Sequence, residues 1–116
     1  MSNKAEIGTA GERLAANYFT DLGFEVVERN FRFRRAEIDL IVKRENWLIF
    51  VEVKTRSSSA FGEPEAFVDR KQTLNIFAAA EEYIFSRDWM GHIRFDIISV
   101  KLGNPPEVTH FEDAIN

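Results

Sequence analysis

The stretch AEIDLIVKRENWLIFVEVKTR, residues 36–56, holds two strand-like runs, 36–44 and 47–54, separated by Glu45-Asn46. A two-residue connection is of hairpin length, and Asn46 tolerates the positive φ that tight turns use. With that turn, partners across the hairpin have numbers summing to 91: Arg44 faces Trp47, Ile41 faces Phe50, Asp39 faces Glu52 and Glu37 faces Lys54. Directly opposed residues share a face of the sheet, with Cβ atoms about 4.5–5.5 Å apart. The register therefore predicts two carboxylates side by side, on a face made apolar by Ile41, Leu48 and Phe50.

Opposed like charges destabilise a hairpin, and partial burial raises the cost. A divalent cation would compensate, since Asp39 and Glu52 offer hard oxygens at a separation one ion can bridge, and magnesium commonly takes one or two protein carboxylates. Glu52 and Lys54, two apart on one strand, share a face. An ammonium there can polarise a phosphate, stabilise the charge that builds on it, or help deprotonate an attacking water. Metal, lysine and phosphate are the minimal set for hydrolysing a phosphodiester. Spacing alone also allows a structural ion-pair network, with Lys54 neutralising Glu37 and Glu52 on a solvent-facing sheet.

Upstream of the hairpin, Ile7, Ala10, Leu14, Ala15, Tyr18 and Leu22 recur at helical spacing from about Glu6 to Leu22, and Gly23 supplies a stop. Gly8 and Gly11 lie on or beside this stripe, where a missing Cβ permits close approach to another backbone. Glu12 projects about 100° past Gly11, at the margin of the buried face, from which it could complete a metal shell. Phe24 to Val27 form a short strand candidate. Downstream, Ser57 to Pro64 read as a polar loop. Asp69 and Gln72 have capping-box spacing before a second helix marked by Leu74, Phe77, Ala78, Ile84 and Phe85. Ile93–Val100 is a further strand, and a short last one runs through Val108 to Phe111.

The formal charge of −4 conceals a division along the chain. Residues 1–27 carry two basic and four acidic side chains, residues 28–56 eight and five, and residues 57–116 five and ten. The middle is thus +3. Arg29, Arg32, Arg34 and Arg35 alternate there with Phe31 and Phe33, as in a patch that tracks a nucleic-acid backbone and stacks on bases. A solvated edge or loop carrying arginines for solubility fits the same residues.

With 116 residues, 45% of them hydrophobic, the chain can bury one core, and a single domain over 1–116 is expected. The absence of cysteine excludes disulfides, thiolate metal sites and cysteine nucleophiles. His92 and His110, eighteen residues apart, lack local ligand spacing and read as surface or partly packed rings. There is no apolar run approaching ~18 residues and no apolar signal-like stretch near the N-terminus, so no membrane association and a cytoplasmic location are expected.

Gly11-Glu12, Ala36 to Ile41, Phe50 to Arg56, Phe61-Gly62, Lys71 and Arg94-Phe95-Asp96, in this order over nearly the whole chain, resemble the small bacterial proteins of the YraN family. That family in turn resembles the restriction endonuclease-like PD-(D/E)xK superfamily, most closely the archaeal Holliday-junction resolvases. The resemblance implies an α/β fold with a central mixed sheet flanked by helices. It implies Asp39 and Glu52 as metal ligands with Glu12 from the helix, Lys54 as the catalytic lysine, Mg2+ or Mn2+ as cofactor, and Arg56 and Lys71 beside Arg29 to Arg35 as nucleic-acid contacts. Ala36 stands where the family usually has glycine. The expected activity is metal-dependent hydrolysis of structured or branched DNA, with a homodimer by analogy. The alternatives are a nucleic-acid-binding module without turnover, using the arginine segment, and a protein-interaction role for the acidic residues 57–116.

Overall fold

A computed structural model describes residues 4–57 and 68–115. Its elements run α1 (Lys4–Asp21), β1 (Glu25–Phe33), β2 (Ala36–Arg44), β3 (Trp47–Arg56), α2 (Arg70–Ser86), β4 (His92–Lys101) and β5 (Glu107–Phe111). The strands form one mixed sheet in the order β1-β2-β3-β4-β5, parallel only between β3 and β4, with a helix on each face. The expected α/β architecture is therefore present. The loop expected from Ser57 to Pro64, with Phe61-Gly62, lies outside the described residues beyond Ser57.

Two apolar layers sandwich the sheet. Leu40, Val42, Ile49, Val51, Ile98 and Val100 pack under α1 through Ala15, Ala16 and Phe19, whereas Ile38, Ile41, Leu48, Phe50 and Ile97 pack under α2 through Ile76, Ala79, Ala80 and Tyr83. Leu48, Ile49, Phe50 and Val51 of β3 and Ile97 and Ile98 of β4 are buried on both faces as unbroken apolar stretches, as expected of central strands of a helix-covered sheet. Both helices bury a face about one residue removed from the expected stripe. Phe19 is fully buried while Leu22 is 44% exposed, and on α2 Leu74 and Phe85 are 55% and 73% exposed. Each helix has apolar residues around much of its circumference, so periodicity alone does not select the face; docking against the sheet does.

The hairpin turn is Glu45-Asn46, with Arg44↔Trp47, Ile41↔Phe50 and Leu40↔Val51 in register; the positive φ falls on Glu45 (53°), not on Asn46. β1 is longer than the short strand expected, because the arginine segment from Arg29 to Phe33 joins it as an exposed edge. That edge pairs with β2 from Glu25↔Lys43 to Phe33↔Ala36.

At the far end of the sheet, Asp96 is fully buried yet fully bonded. Arg94 donates to it through Nε and an NH2 nitrogen at 2.8 Å each, His110 Nε2 lies 2.7 Å away, and the Asp113 amide donates at 2.9 Å. His110 Nδ1 is 3.0 Å from the Tyr18 hydroxyl on α1. Burial alone would raise the Asp96 pKa, but these donors hold it below the ordinary carboxylate value. His110 is thus a structural link between β4, β5 and α1, and the Arg94-Phe95-Asp96 motif serves the frame.

Candidate functional site

Asp39 occupies a break in the sheet. In a regular strand, residues three apart face opposite sides, yet Ile38 and Ile41 both lie under α2. The irregularity falls at Asp39. On one side the β1–β2 ladder passes from Arg29↔Leu40 to Phe31↔Ile38, leaving Asn30, with φ at 50°, across from Asp39. On the other side the β2–β3 ladder ends at Leu40↔Val51 although both strands continue. Asp39 Oδ2 accepts the Val53 amide at 2.7 Å, taking a β3 donor in place of a β2 carbonyl. Asp39 and Glu52 are therefore not a ladder pair as the register extrapolated; they are neighbours because the Asp39 carboxyl fills the gap between the strands, close enough to act as a hydrogen-bond partner of Glu52.

α1 brings the next carboxylate. Gly11 is buried against β3, where a Cβ would collide with the Thr55 side chain, so only glycine lets the helix settle at this depth. Glu12 follows it and lies over the start of β2. Asn30 Nδ2 donates to Glu12 Oε1 at 3.3 Å and to Glu37 Oε2 at 2.9 Å, holding the two acids together. Carboxylate oxygens of Glu12, Glu37 and Asp39 lie within 4.8 Å of one another.

Glu52, 9% exposed, faces α2. Gln72 Nε2 donates to its Oε2 at 3.1 Å, and Lys54 Nζ lies 3.4 Å from the same oxygen. Asp69 accepts the Gln72 amide at 2.8 Å as N-cap of α2, so the capping box is half formed, with the glutamine side chain spent on Glu52. A cleft of about 340 Å³ joins Arg35, Ala36, Glu37, Asp39, Glu52, Gln72, Asn75 and Ile76.

Burial and the Glu52 charge push the Asp39 pKa up to about 8, with smaller contributions from Glu12 and Glu37 and opposition from the Val53 amide. Burial likewise raises Glu52, against the pull of Lys54. Four carboxylates face two cations, Lys54 on Glu52 and Arg32 on Glu37 at 2.9 Å. Fully ionised, the group carries −4 against +2 in direct ion pairs, with the Arg35 guanidinium a further cation on the same cleft.

The structure thus groups Glu12 and Asp39 with Glu37, and sets Glu52 with Lys54 beside Asp39 but outside the set of oxygens within 4.8 Å of one another; Gln72 and Asn30 are further members of the site. Glu37 was expected opposite Lys54; it pairs instead with Arg32 of β1, its register partner. The signal for Glu37 was its i, i+2 spacing from Asp39; the signal for Gln72 was masked by its capping position. Arg34 and Arg35 form the β1–β2 turn and Arg35 lines the cleft. Arg29 is exposed along the edge strand, Arg56 is exposed at the end of β3, and Lys71 is exposed on the first turn of α2.

A model of the uncharacterised protein family UPF0102 matches residues 11–100. Curated relatives of the same family name include proteins from Flavobacterium psychrophilum, 42% identical over 98% of this chain and 97% of that one, and Rhodococcus opacus, 38% identical over 98% and 99%. A third, from Caldanaerobacter subterraneus subsp. tengcongensis, is 43% identical over 92% of this chain and 88% of its own length. No helix among the described residues is long and apolar enough to cross a membrane.

Proposed function

The chain belongs to the YraN-type family UPF0102, and we propose that it is a magnesium- or manganese-dependent nuclease that hydrolyses phosphodiesters of structured or branched DNA in the cytoplasm. The observation that carries this reading is the cluster of carboxylates at a break in the sheet, Glu12, Glu37 and Asp39 within 4.8 Å of one another and Glu52 beside Asp39, with an amine on Glu52. A divalent ion fits the donor set. Magnesium–oxygen bonds of about 2.1 Å place octahedral ligand oxygens roughly 3–4 Å apart, so oxygens within 4.8 Å close on an ion by small side-chain rotations. Asp39 would be the central ligand, with Glu12 and Glu37 on its α1 side and Glu52 on its α2 side.

When bound, the metal supplies Lewis-acid charge at the phosphate. The protein's own residues do the rest. Gln72 fixes the Glu52 carboxylate, and Lys54, whose ammonium lies on the same Glu52 oxygen, would offset charge that develops on a substrate phosphate held by the site. Arg35 at the cleft mouth orients the backbone, and a two-fold homodimer would present two such clefts to the two strands of a branched substrate.

The ion pairs Arg32–Glu37 and Lys54–Glu52 favour a second reading, in which the fold binds nucleic acid without turnover. The two are separated by incubating the protein with junction, flap and single-stranded DNA in Mg2+, Mn2+ or chelator, beside Glu52→Ala and Lys54→Ala variants. Metal-dependent cleavage lost in both variants supports the nuclease. Binding without cleavage under every metal supports the second reading, and cleavage that survives both substitutions belongs to a contaminant.

A further inference from the structure

The carboxylate cleft does not end at Arg35. A second groove of about 260 Å³, lined by Phe33, Arg34, Arg35, Ala36, Asn75 and Ala78, shares Arg35, Ala36 and Asn75 with it. The two make one furrow between the β1–β2 turn and α2, acidic at one end, cationic and aromatic at the other. Resting on the nuclease reading of the cleft, we propose that this groove takes a single unpaired nucleotide adjoining the scissile phosphate, so that the substrate class is DNA with a frayed or flapped strand rather than continuous duplex.

Three features of the groove match that ligand. Phe33 is half-buried against the core under α2, and the Arg34 guanidinium lies over its ring, 5.0 Å from the centroid, so the plane presented to a base is the guanidinium backed by the ring. A ring and a guanidinium plane stack on any base, but only on one that has left the helical stack, since a paired base has both faces covered. Next, Asn75 stands at the junction of cleft and groove, and its side chain makes no hydrogen bond among the described residues, which leaves an amide donor and acceptor for a base edge or sugar. Finally, Arg34 and Arg35 form no ion pair among the described residues, whereas Arg32 is committed to Glu37. Two uncompensated cations beside a cluster of carboxylates suit a polyanion whose phosphate bridges them.

The turn itself costs stability to hold this shape. Arg34 sits at φ 57°, in the left-handed region, in a two-residue connection where glycine or asparagine would be at ease. An arginine there is strained, and such strain persists where a side chain is needed in place. Ala78 makes the opposite wall from an exposed position on α2, and its small side chain keeps the groove open.

The test reads binding without turnover. The protein is loaded with Ca2+, and its affinity for a fluorescent duplex carrying a three-nucleotide flap is compared with that for the same duplex blunt-ended, by anisotropy. Two variants probe the groove: Phe33→Leu removes the ring that backs the Arg34 guanidinium, and Ala78→Glu puts a carboxylate in the groove from a solvent-facing helix position that the fold does not use. Stacking of one base on an aromatic ring is worth roughly 5- to 150-fold in affinity. Both variants are expected to weaken flap binding at least about 5-fold while leaving blunt-duplex binding within about 2-fold, and Phe33→Leu is expected to abolish the change in fluorescence that binding produces in a 2-aminopurine placed at the first flap nucleotide. Equal loss on both DNAs, or no loss on either, overturns the proposal. Cleavage is measured separately with wild-type protein in Mg2+: flap preference that depends on Phe33 and Ala78 without any cleavage upholds the nucleotide groove and sinks the nuclease reading, whereas cleavage without that preference does the reverse.

Discussion

Removing the charge of Asp39 is expected to stabilise the metal-free protein, and the effect should grow with pH. Burial and the Glu52 charge push the Asp39 carboxyl up to about 8 in the fold, from 3.8 for the free side chain. Between those values the folded state holds a proton that the unfolded chain has released, so stability falls as pH rises and levels off above about 8. One proton corresponds to about 1.4 kcal/mol per pH unit, so the interval from pH 5 to pH 7 costs the apo protein roughly 2.7 kcal/mol through this group. Asparagine keeps a side-chain oxygen for the Val53 amide and carries no titrating charge, so the Asp39→Asn variant should lose this slope. A divalent ion acts on the same balance. By replacing the proton it stabilises the wild type by about 1.4 kcal/mol at a concentration tenfold above its Kd, and more strongly at pH 8 than at pH 6. The assay is urea unfolding at pH 5, 6, 7 and 8, with Mg2+ or with chelator, for wild type and Asp39→Asn. Subtracting the variant removes the contribution of Asp96, whose lowered pKa works the other way, its stabilisation present at neutral pH and lost as pH falls below the carboxylate range. Parallel pH curves for the two proteins, or equal stabilisation by Mg2+, would refute the argument that Asp39 is the strained centre of the site.

Gly11→Ala drives a methyl group into Thr55 and should cost about 1–3 kcal/mol in urea unfolding; a Gly11→Ala, Thr55→Gly double variant should regain most of it, and failure to regain any would mean the clash is not the cause. Asp96→Asn removes the buried anion shared by Arg94 and His110 and should cost about 3–5 kcal/mol by the same measurement, with a loss below 1 kcal/mol contradicting the structural role given to that network. Replacing Arg34 and Arg35 together by alanine should reduce the slope of log affinity against log salt for DNA by about two phosphate contacts, whereas Arg32→Ala should reduce it less, since its charge already serves Glu37; equal effects from all three would erase the distinction between committed and free arginines.

The hairpin was legible because two apolar runs around a two-residue connection leave one register, and that register put Asp39 and Glu52 near each other. Their meeting was legible; its mechanism was not. Extrapolating the ladder past Leu40↔Val51 assumes that main-chain groups keep pairing, and the Val53 amide bonds to a side chain instead. The extent of β1 was hidden for a related reason: Arg29, Asn30 and Arg32 are exposed, so an edge strand shows no apolar alternation even while pairing along its whole length. With β1 paired along its whole length, the register partner of Glu37 is Arg32, not the Lys54 that the hairpin alone predicts. The Asp96–His110–Tyr18 network joins residues up to 92 apart in sequence, and nothing local marks it.

The geometry at Asp39 and along the β1 edge has one physical origin, and it bears on the site. A sheet reads from sequence where backbone hydrogen bonds and side-chain alternation act together, and at Asp39 they part company. Ile38 keeps to the α2 layer with Ile41, so the chain between them abandons its alternation, and Asp39 is released from both faces into the gap between β2 and β3. A carboxylate on either face would meet one helix. Only one in the gap can touch Glu52, held by Gln72 of α2, and also stand within 4.8 Å of Glu12 from α1 and Glu37. The break in the ladder is therefore what gathers acids from both sides of the sheet, and the Val53 amide that Asp39 accepts partly offsets the lost backbone pairing. Asp39→Leu separates the two roles of this residue from those of an asparagine. It forfeits the Val53 bond as well as the charge, so it should lose the Mg2+ response, as Asp39→Asn does, but fail to show the gain in apo stability at pH 8 expected of asparagine. If leucine stabilises as much as asparagine, the Val53 hydrogen bond contributes nothing and the break must be held open by the packing of Ile38 and Ile41 alone.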